Sequence, residues 1–471
     1  MSQPLIVMKF GGTSVGSPER IVRAADLIQQ AREKFTVVAV VSAMAGVTDL
    51  LLETMRCAEA DDPGSVDTHL GTLKTRHVDA CRELLPVGDH DEAMDEIERL
   101  LAGFERIARG MLMLGERPPK SVDEAVPTGE KLSACLISAV LRSRGVPAKA
   151  VNACELIVTD DVFGNASPLF DRTRTNADAR LGPALEAGET PIVTGFSGAT
   201  TKGQPTTLGR GGSDFSASIL ATALDASELW IWTDVDGILT ADPRLVKDAR
   251  VLPEVSYSEA AELAFNGAKV LHPRTLTPLV KKQIPVWIKN SFEPEKEGTR
   301  IVPEISTDHG VRAITSLAGV ALITIEAASA SMSGAQLMAR ALGAAARANV
   351  EVLLMTRSSF RQNFCMLVRT EELAAALESL HEELKIELAH DYVHPIRVNE
   401  SVGLMAAVGE GMHGTPGLAG KVFTAISRQE INIIAIAQGS SELTIAIVVA
   451  EDALDNAVRA VHEACGLGAG S

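Results

Sequence analysis

The sequence predicts an α/β protein with a mainly parallel sheet, followed by two smaller modules of βαββαβ type. Across the first 300 residues, short β-branched runs alternate with helical patterns, as in layered folds built on a parallel sheet. Beyond residue 310 one order of strands and helices occurs twice. A chain of 471 residues with 46% hydrophobic residues has room for about three domains with buried cores.

The elements of the first part are read from their periods. The predicted strands are short, apolar and suited to full burial, and they cover residues 5–9, 36–42, 190–194, 228–233 and 284–289. Between about residues 61 and 123 the pattern changes to long helices. There, apolar residues recur at the spacing of one helix face, at Ile97, Leu100, Leu101, Phe104 and Ile107. We interpret 61–123 as a helical insertion, and the charged, proline-containing residues 292–306 as a linker.

The last third of the chain nearly repeats its own pattern. Strands at 319–325 and 402–408 each lead into a helix, at about 335–348 and 418–429. A strand, a turn with a Ser-Ser pair, another strand and an amphipathic helix follow each time. Each copy reads βαββα and closes to a ferredoxin-like module if one more strand is supplied. Two copies of a common superfold without a regulatory role remain the alternative. The expected domains are 1–300, 311–395 and 396–471.

Charge and cysteine content exclude several functional classes. The net charge of −17 argues against a nucleic-acid backbone or an anionic membrane as the main partner. The six cysteines have neither CxxC nor metal-ligand spacing, so neither a disulfide framework nor a zinc site is indicated. No window approaches the ~20 apolar residues that span a bilayer. We therefore expect a cytoplasmic protein in a reducing compartment.

The first segment that carries chemistry is KFGGTSVG at residues 9–16, where a strand runs into a glycine-rich turn. Gly11 and Gly12 let the backbone approach a ligand closely, and amide groups of such a turn favour an anion such as phosphate. Lys9 would face the same anion, and a lysine at the end of a buried strand is otherwise hard to explain. The pattern is neither GxxxxGK[ST] nor GxGxxG, and a purely structural glycine turn is the alternative.

Three further segments combine glycines or turn residues with charges. In TTLGRGGSD at 206–214, Arg210 can hold a carboxylate through two hydrogen bonds, and Asp214 lies near a helix start. The alternative there is a simple helix cap by Ser213 or Asp214. WTDVDGILTADPR at 232–244 follows a buried strand, where ligands bind in parallel sheets, although its aspartates also suit ordinary turns. FNGAKVLHP at 265–273 places Lys269 beside an apolar stretch and indicates nothing alone.

Together these segments resemble the aspartate kinases of the amino acid kinase family. The motifs that carry the resemblance are KFGGTSVG at 9–16, VSAMAGVTDLL at 41–51, GE at 129–130, TTLGRGGSD at 206–214, WTDVDGI at 232–238, DPR at 242–244 and GAKVLHP at 267–273. The two C-terminal modules are similar to the ACT domains that bind amino-acid effectors in this family. The resemblance covers nearly the whole chain and implies a three-layer amino acid kinase domain.

The resemblance implies transfer of the γ-phosphoryl group of ATP, with Mg²⁺, to the side-chain carboxylate of L-aspartate. The product, 4-phospho-L-aspartate, opens lysine, threonine and methionine biosynthesis. Lys9 with the Gly11 and Gly12 amides would stabilise the transferring phosphoryl oxygens, and Asp214 would orient Lys9. By the same resemblance Arg210 would clamp a carboxylate of aspartate and Glu130 would pair with its ammonium group.

Further site residues follow from the same resemblance. The aspartate pocket would be lined by Ser42, Thr48, Phe196 and Ser213. The nucleotide would lie over Thr233, Asp234, Arg244 and Lys269. Leu239 stands where related enzymes often carry a tyrosine beside the nucleotide. No protein metal ligand is assigned.

Regulation and assembly are also implied. An amino-acid effector, lysine or threonine or both, would contact Ser331, Met332, Val350, Glu351, Ser358 and Ser359. We expect a monofunctional enzyme without a fused homoserine dehydrogenase, paired as a homodimer through its ACT domains. One alternative is a kinase of the same fold with another acceptor, such as glutamate 5-kinase, acetylglutamate kinase or uridylate kinase. The tandem modules and the 206–214 motif oppose it. A catalytically silent amino-acid sensor is the other, and the presence of Lys9 and Asp214 opposes it.

Overall fold

The computed structural model describes residues 3–268, 271–305, 310–328, 333–358 and 363–468. The chain divides into two compact units. The first unit comprises Met1–Ile238, Pro253–Tyr257 and Val270–Pro303, and the second comprises Leu239–Leu252, Ser258–Lys269 and Glu304–Ser471. The predicted α/β class is confirmed for the first unit, and the second unit contains the predicted tandem modules.

Eleven strands form the sheets of the first unit in the described residues. They are β1 (Leu5–Phe10), β2 (Thr36–Val41), β3 (Ala148–Val151), β4 (Val158–Thr159), β5 (Thr190–Thr194), β6 (Ser197–Thr200), β7 (Pro205–Thr207), β8 (Glu228–Thr233), β9 (Glu254–Ser256), β10 (Val286–Asn290) and β11 (Thr299–Val302). The main sheet has the order β3-β5-β2-β1-β8-β10-β11-β9, and β4, β6 and β7 form a small separate sheet. Neighbouring strands from β3 to β10 are all parallel.

Helices cover both faces of this sheet. In chain order they are α1 (Pro18–Ala31), α2 (Val47–Glu59), α3 (Pro63–Leu84), α4 (His90–Leu114), α5 (Pro119–Ala125), α6 (Thr128–Ser143), α7 (Phe170–Glu186), α8 (Gly212–Ala223), α9 (Tyr257–Phe265) and α10 (Pro273–Val280). All of α9 after Tyr257 belongs to the second unit. Side chains alternate along β1, so Ile6, Met8 and Phe10 join the core with α1 and α6, whereas Lys9 points towards α8.

The helical insertion predicted at 61–123 is present as α3, α4 and α5. Ile97, Leu101 and Phe104 of α4 are buried, as the predicted apolar face requires, and they join the same core as β1 and β2. The prediction of a linker at 292–306 was wrong for the four residues of Thr299–Val302. β11 lies inside it and pairs antiparallel with β10. Four residues between Gly298 and Pro303 are too few to show a strand period in the sequence.

The second unit contains one six-stranded sheet in the order β13-β14-β12-β15-β17-β16. Its strands are β12 (Ala313–Ile325), β13 (Leu354–Arg357), β14 (Phe364–Arg369), β15 (Arg397–Val408), β16 (Ile433–Gln438) and β17 (Thr444–Ala450). Its further helices are α11 (Gly334–Arg347), α12 (Leu373–Glu383), α13 (Lys385–Ala389), α14 (Leu418–Arg428) and α15 (Leu454–Cys465).

Each module borrows its missing strand from the other. The strands β12 and β15 begin earlier than the predicted 319 and 402. The first half of β12 pairs with the second half of β15, beside β17, and the second half of β12 lies between β14 and the start of β15. Gly319, with φ of +68°, lies in the bulge between the two halves of β12, which is why the sequence pattern appeared to begin there. None of the described helices combines the length and apolar character needed to cross a membrane.

Candidate active site

Four neighbouring strands end at one edge of the main sheet. Because β5, β2, β1 and β8 are parallel, the residues that follow their carboxyl ends lie on the same side. Ser42 follows β2, Gly11 and Gly12 follow β1, and Asp234 follows β8. Ligands of open α/β sheets bind at such an edge. The parallel order therefore brings together segments as distant in the sequence as Gly11 and Asp234.

An ion pair between a buried lysine and a partly buried aspartate lies at this edge. Lys9 of β1 is 8% exposed, and its Nζ is 2.5 Å from Oδ1 of Asp214 in the first turn of α8. A lysine in the middle of a sheet is stable when a carboxylate compensates its charge. The pair fixes the ammonium group beside the glycine turn.

The glycine turn leaves space around that ammonium group. The Gly11 amide donates to the Trp232 carbonyl oxygen at 3.2 Å, which fastens the turn to the end of β8. A Cβ atom on Gly11 would lie 3.3 Å from Lys9 Nζ, and one on Gly12 would lie 3.0 Å from the Ala43 carbonyl oxygen. Side chains at either position would crowd the lysine or the neighbouring loop, so both glycines are needed for close approach.

The loop that carries Arg210 is held on both sides. Gly209 and Gly211 have φ of +75° and +70°, and a Cβ atom on either would come within 2.7 Å of Asn165 or His272. Before the loop, the buried Asp123 accepts hydrogen bonds from the Thr207 amide at 2.9 Å and its hydroxyl at 2.7 Å. Sequence reasoning missed Asp123, because nothing in its surrounding sequence reveals a contact with a strand 84 residues away.

Glu130 is a buried carboxyl with one free oxygen. It is 3% exposed, and its Oε1 accepts a hydrogen bond from the Ala43 amide at 3.1 Å. Its Oε2 has no hydrogen-bond partner among the described residues. Burial raises the pKa of Glu130 from 4.5 to about 7, opposed mainly by the Ala43 amide. Such a carboxyl is suited to a cationic ligand that would complete its contacts.

Gly129 brings the start of α6 against the loop after β2. A Cβ atom there would lie 2.6 Å from Ala43 Cβ and 3.1 Å from Val47 Cγ1. Gly129→Ala is therefore expected to lower the free energy of unfolding by about 1–3 kcal/mol through overpacking. Gly110→Ala in α4, where a Cβ atom meets nothing within 4 Å, is the matched control. It should stabilise the chain by about 0.5–1 kcal/mol. Equal effects of both substitutions in urea unfolding would contradict the close approach.

The remaining residues predicted for the aspartate pocket also lie in the first unit. Ser42 donates its amide to the Phe10 carbonyl oxygen at 3.1 Å, and Thr48 is the second residue of α2. Phe196 has a φ of +69° and lies against α8, since a Cβ atom on Gly212 would be 2.6 Å from its ring. Ser213 lies in the first turn of the same helix.

The predicted nucleotide residues are divided. Thr233 ends β8, and its hydroxyl donates to Asp234 Oδ1 at 3.2 Å. Arg244 belongs to the second unit, where its exposed guanidinium pairs with Asp242 at 2.6 Å. Leu239 also belongs to the second unit and forms an isolated antiparallel bridge with Val251. Lys269 lies outside the described residues.

Half of the predicted effector residues can be placed. Ser331, Met332 and Ser359 lie outside the described residues. Val350 is buried before β13, the Glu351 amide donates to Glu372 Oε2 at 3.2 Å, and the Ser358 amide donates to the Asn363 carbonyl oxygen at 2.9 Å. In the part of the chain that is described, no cluster of three or more His, Cys, Asp or Glu side chains could hold a metal ion.

Comparison with known protein families shows to which family the chain belongs. The model of the amino acid kinase family matches residues 4–290, which hold the sheet edge with Lys9 and Asp214. The chain belongs to the amino acid kinase family. An ACT domain model matches residues 405–465 of this family member, within the second of its tandem modules.

Curated relatives are similar to this amino acid kinase over 97% of its length. A bifunctional aspartokinase/homoserine dehydrogenase of Haemophilus influenzae is 35% identical over 466 residues, which cover 56% of that protein. A bifunctional relative of Zea mays is 32% identical, with 50% of that protein covered. The chain thus spans little more than half the length of these relatives. The lysine-sensitive aspartokinase 3 of Escherichia coli is 33% identical over 458 residues, or 98% of its length.

Solved structures show the same similarity. Aspartokinase III of E. coli in complex with aspartate and ADP, described as its R-state, has a TM-score of 0.84 and 32% identity. The match covers 98% of this amino acid kinase and 99% of that chain. The same enzyme with lysine and aspartate, described as the T-state, has a TM-score of 0.79 and 32% identity, with equal coverage.

Proposed function

We propose that the chain is an aspartate kinase, which transfers the γ-phosphoryl group of ATP to the side-chain carboxylate of L-aspartate. The observation that carries the proposal is the ion pair of Lys9 and Asp214 beside the Gly11-Gly12 turn. A fixed cation can stabilise the charge of a transferring phosphoryl group, and a turn without side chains lets that group approach closely. The similarity to an aspartokinase solved with aspartate and ADP supports the same substrates. The reaction would be the first step of lysine, threonine and methionine biosynthesis.

Lys9 and Asp214 have different tasks in this mechanism. The side-chain carboxylate of aspartate is ionised at neutral pH, so it attacks without a general base. Asp214 therefore holds the Lys9 ammonium group in place, and Lys9 stabilises negative charge on the phosphoryl oxygens. The Gly12 amide is proposed to add to this stabilisation, whereas the Gly11 amide, also predicted for this role, already donates to the Trp232 carbonyl oxygen.

Mg²⁺ fits a site with few protein carboxylates. Asp214 is already compensated by Lys9, and the described residues offer no acidic cluster. Mg²⁺ binds substrate phosphates, water and only one or two carboxylates, and it supplies neutralisation of the phosphate charge when bound. We propose that Asp214 helps to orient the active-site cations as well as Lys9. Thr233 and Asp234 of the first unit are proposed to hold the nucleotide.

The substrate aspartate is proposed to bind between two charged groups. Arg210 clamps one carboxylate through paired hydrogen bonds, and the free Oε2 of Glu130 accepts from the ammonium group. Ser42, Thr48, Phe196 and Ser213 line the pocket. Holding both reactants in line supplies much of the catalysis in phosphoryl transfer.

The tandem modules are proposed to bind an amino-acid effector. The E. coli relative is named lysine-sensitive and was solved with lysine, so lysine is the first candidate and threonine the second. The contact residues would be Ser331, Met332, Val350, Glu351, Ser358 and Ser359. We also propose a homodimer that forms through these modules.

Acyl-phosphate formation tests the proposed activity directly. The chain is incubated with ATP, Mg²⁺ and L-aspartate, and the product is trapped with hydroxylamine. Turnover with aspartate that falls on adding lysine or threonine is expected. Turnover with glutamate alone would indicate a sister kinase, and no turnover with either acceptor would overturn the proposal. Tight amino-acid binding in that last case would favour the sensor.

Aspartate binding is expected to weaken as the pH falls below about 7. The pKa of Glu130 is about 7 in the unliganded chain, and an ammonium group beside it favours the ionised form. The KM for aspartate should therefore rise by up to about tenfold for each pH unit below that value. Above pH 8 the KM for aspartate should no longer change with pH. The rate of ADP formation, measured at a series of aspartate concentrations between pH 5.5 and 8.5, gives the KM that checks this.

Glu130→Gln is the control, because its amide does not titrate. The KM of this variant for aspartate should be high at every pH and should not rise further below pH 7. The same rise as in the wild type would contradict the assignment.

The raised pKa of Glu130 also makes the stability of the fold depend on pH, but stability changes in the opposite direction to aspartate binding. Since the folded pKa of Glu130 exceeds its ordinary 4.5, its contribution to stability is largest at low pH and is lost between about 4.5 and about 7.

A further inference from the structure

Two buried serine hydroxyls join loops that are far apart in the sequence. Ser14 lies in the turn after β1, three residues beyond Gly11, and Ser291 directly follows β10. They are 2% and 3% exposed, and their Oγ atoms are 2.9 Å apart. Ser291 lies outside the motifs that indicated the activity. Ser14 lies within the KFGGTSVG segment, but the sequence indicated no role for it.

Both serines also contact the end of β8. Ser14 Oγ donates to the Trp232 carbonyl oxygen at 3.2 Å, the same oxygen that accepts the Gly11 amide. The Ser291 amide donates to the next carbonyl, that of Thr233, at 2.8 Å, and its Oγ is 3.0 Å from the same oxygen. A serine hydroxyl has one proton and can accept two bonds. With Ser14 donating to Trp232, Ser291 can donate to Ser14 or to Thr233.

The segment that follows Thr233 is held from the other side. Asp236 accepts from Asn290 Nδ2 at 2.6 Å and from Lys296 Nζ at 2.7 Å. These bonds explain why the pKa of Asp236 lies below its ordinary value, with Lys296 as the larger cause. Thr233 and Asp234 therefore lie between two fixed points, of which the serine pair is the one that also reaches the glycine turn.

We propose that Ser14 and Ser291 are positioning residues for the nucleotide, which set the distance between the Gly11-Gly12 turn and Thr233-Asp234. The inference rests on the proposed function, which assigns the phosphates to the turn and the rest of the nucleotide to Thr233 and Asp234. Neither serine needs to touch the nucleotide. Without the hydroxyl pair the two loops are joined by fewer bonds, so the nucleotide must restrict them on binding and loses affinity.

A purely structural pair would act differently. Loss of a buried hydrogen bond lowers stability wherever it occurs. If the pair only filled space, its removal would leave nucleotide and aspartate affinities unchanged, or would weaken both in step with stability. A positioning role instead predicts a selective loss of nucleotide affinity.

The three tryptophans of the chain provide a signal for nucleotide binding. Trp232 immediately precedes Thr233, Trp230 lies two residues earlier on β8, and Trp287 pairs with Trp230 in the sheet. The rings of Trp230 and Trp232 are 6.3 Å apart. Tryptophan fluorescence therefore originates on β8 and β10, the strands that lead to the proposed nucleotide loop, and we expect it to change when ADP and Mg²⁺ are added.

The test compares Ser14→Ala, Ser291→Ala and the double variant with the wild-type chain. The dissociation constant for ADP with Mg²⁺, followed by fluorescence, should rise about three- to tenfold in each single variant. The dissociation constant of the double variant should be about the same as that of either single variant, because the two hydroxyls act as one bridge. The KM for ATP should rise in parallel, whereas the KM for aspartate should stay within twofold.

Ser138→Ala is the matched control. Ser138 is equally buried, but within the described chain its hydroxyl bonds only to the Cys135 carbonyl oxygen of its own helix, at 3.0 Å. It should change stability without changing ADP affinity. Should an alanine variant fail to fold, Ser291→Cys keeps the volume and removes most of the hydrogen-bond strength. Unchanged ADP affinity in a folded variant, or equal losses for ADP and aspartate, would overturn the inference.

Failure of the proposed function can be told apart from failure of this inference. ADP binding by a wild-type chain that does not phosphorylate aspartate would overturn the aspartate kinase proposal alone, and the fluorescence comparison would still decide the role of the serines. A wild-type chain that does not bind ADP would overturn both.

Discussion

Lys9→Met is expected to lower kcat by about 10²- to 10³-fold while ADP still binds. The substitution keeps the length of the side chain and removes the charge that faces the transferring phosphoryl group. Loss of one preorganised donor to transition-state charge typically has this size. Because the charge develops mainly in the transition state, the dissociation constant for ADP should change far less than kcat. Steady-state turnover and ADP titration measure the two effects separately.

Stability must be separated from catalysis in this variant. Removing Lys9 leaves the partly buried Asp214 carboxylate without its cation, which costs stability. The double variant Lys9→Met/Asp214→Asn removes both charges, so it should recover stability without recovering kcat. Lys149→Met is the matched control, since Lys149 lies exposed on β3 of the same sheet and should keep full activity. A kcat within tenfold of wild type in Lys9→Met would remove Lys9 from the transition state.

Arg210→Ala is expected to raise the KM for aspartate by about 10- to 100-fold with a smaller change in kcat. A charged, two-point contact with a carboxylate contributes roughly 1.5–3 kcal/mol, and 1.4 kcal/mol corresponds to tenfold. The flanking Gly209 and Gly211 fix the loop, so the loss should come from the guanidinium and not from a collapsed loop. The KM for ATP should change by less than a factor of about three.

Conservative and remote variants sharpen this test. Arg210→Lys keeps the charge but offers no planar pair of donors, so it should restore only part of the affinity. Arg172→Ala on the exposed face of α7 should leave both KM values unchanged. Wild-type activity of Arg210→Ala at aspartate concentrations below KM would show that another group holds the substrate carboxylate.

The sequence predicted individual elements better than their partners. A lysine at the end of a buried strand required a compensating charge, yet nothing in the residues alone identified Asp214, which is 205 positions away. Only the resemblance to a family linked the two. The ends of β1, β2, β5 and β8 were predicted to within one residue, because buried parallel strands are continuous apolar runs. The shorter strands β3, β4, β6, β7, β9 and β11 were not predicted. The order in which they lie side by side is set by crossover helices, whose packing leaves no short-range signal.

Contacts made through single polar atoms were the hardest to predict. Asp123 reaches Thr207 across 84 residues, and Ser291 reaches Ser14 across 277. Neither pair has a spacing or a flanking pattern that distinguishes it from an ordinary surface residue. The early starts of β12 and β15 were missed for a related reason. Gly319 has the left-handed backbone typical of a break, but the strand passes through it by a bulge.

The exchange of strand halves in the second unit joins the stability of the two modules. Val320–Ile325 is continuous with Ala313–Leu317, so each sheet contains backbone that also serves the other. Neither module can lose its sheet without opening an edge in its neighbour, so we expect the described parts of residues 313–468 to unfold as one cooperative unit. A ligand that tightens one module therefore raises the unfolding free energy of both. The shared strand β12 transmits this effect through its own hydrogen bonds, without a hinge or a linker in between.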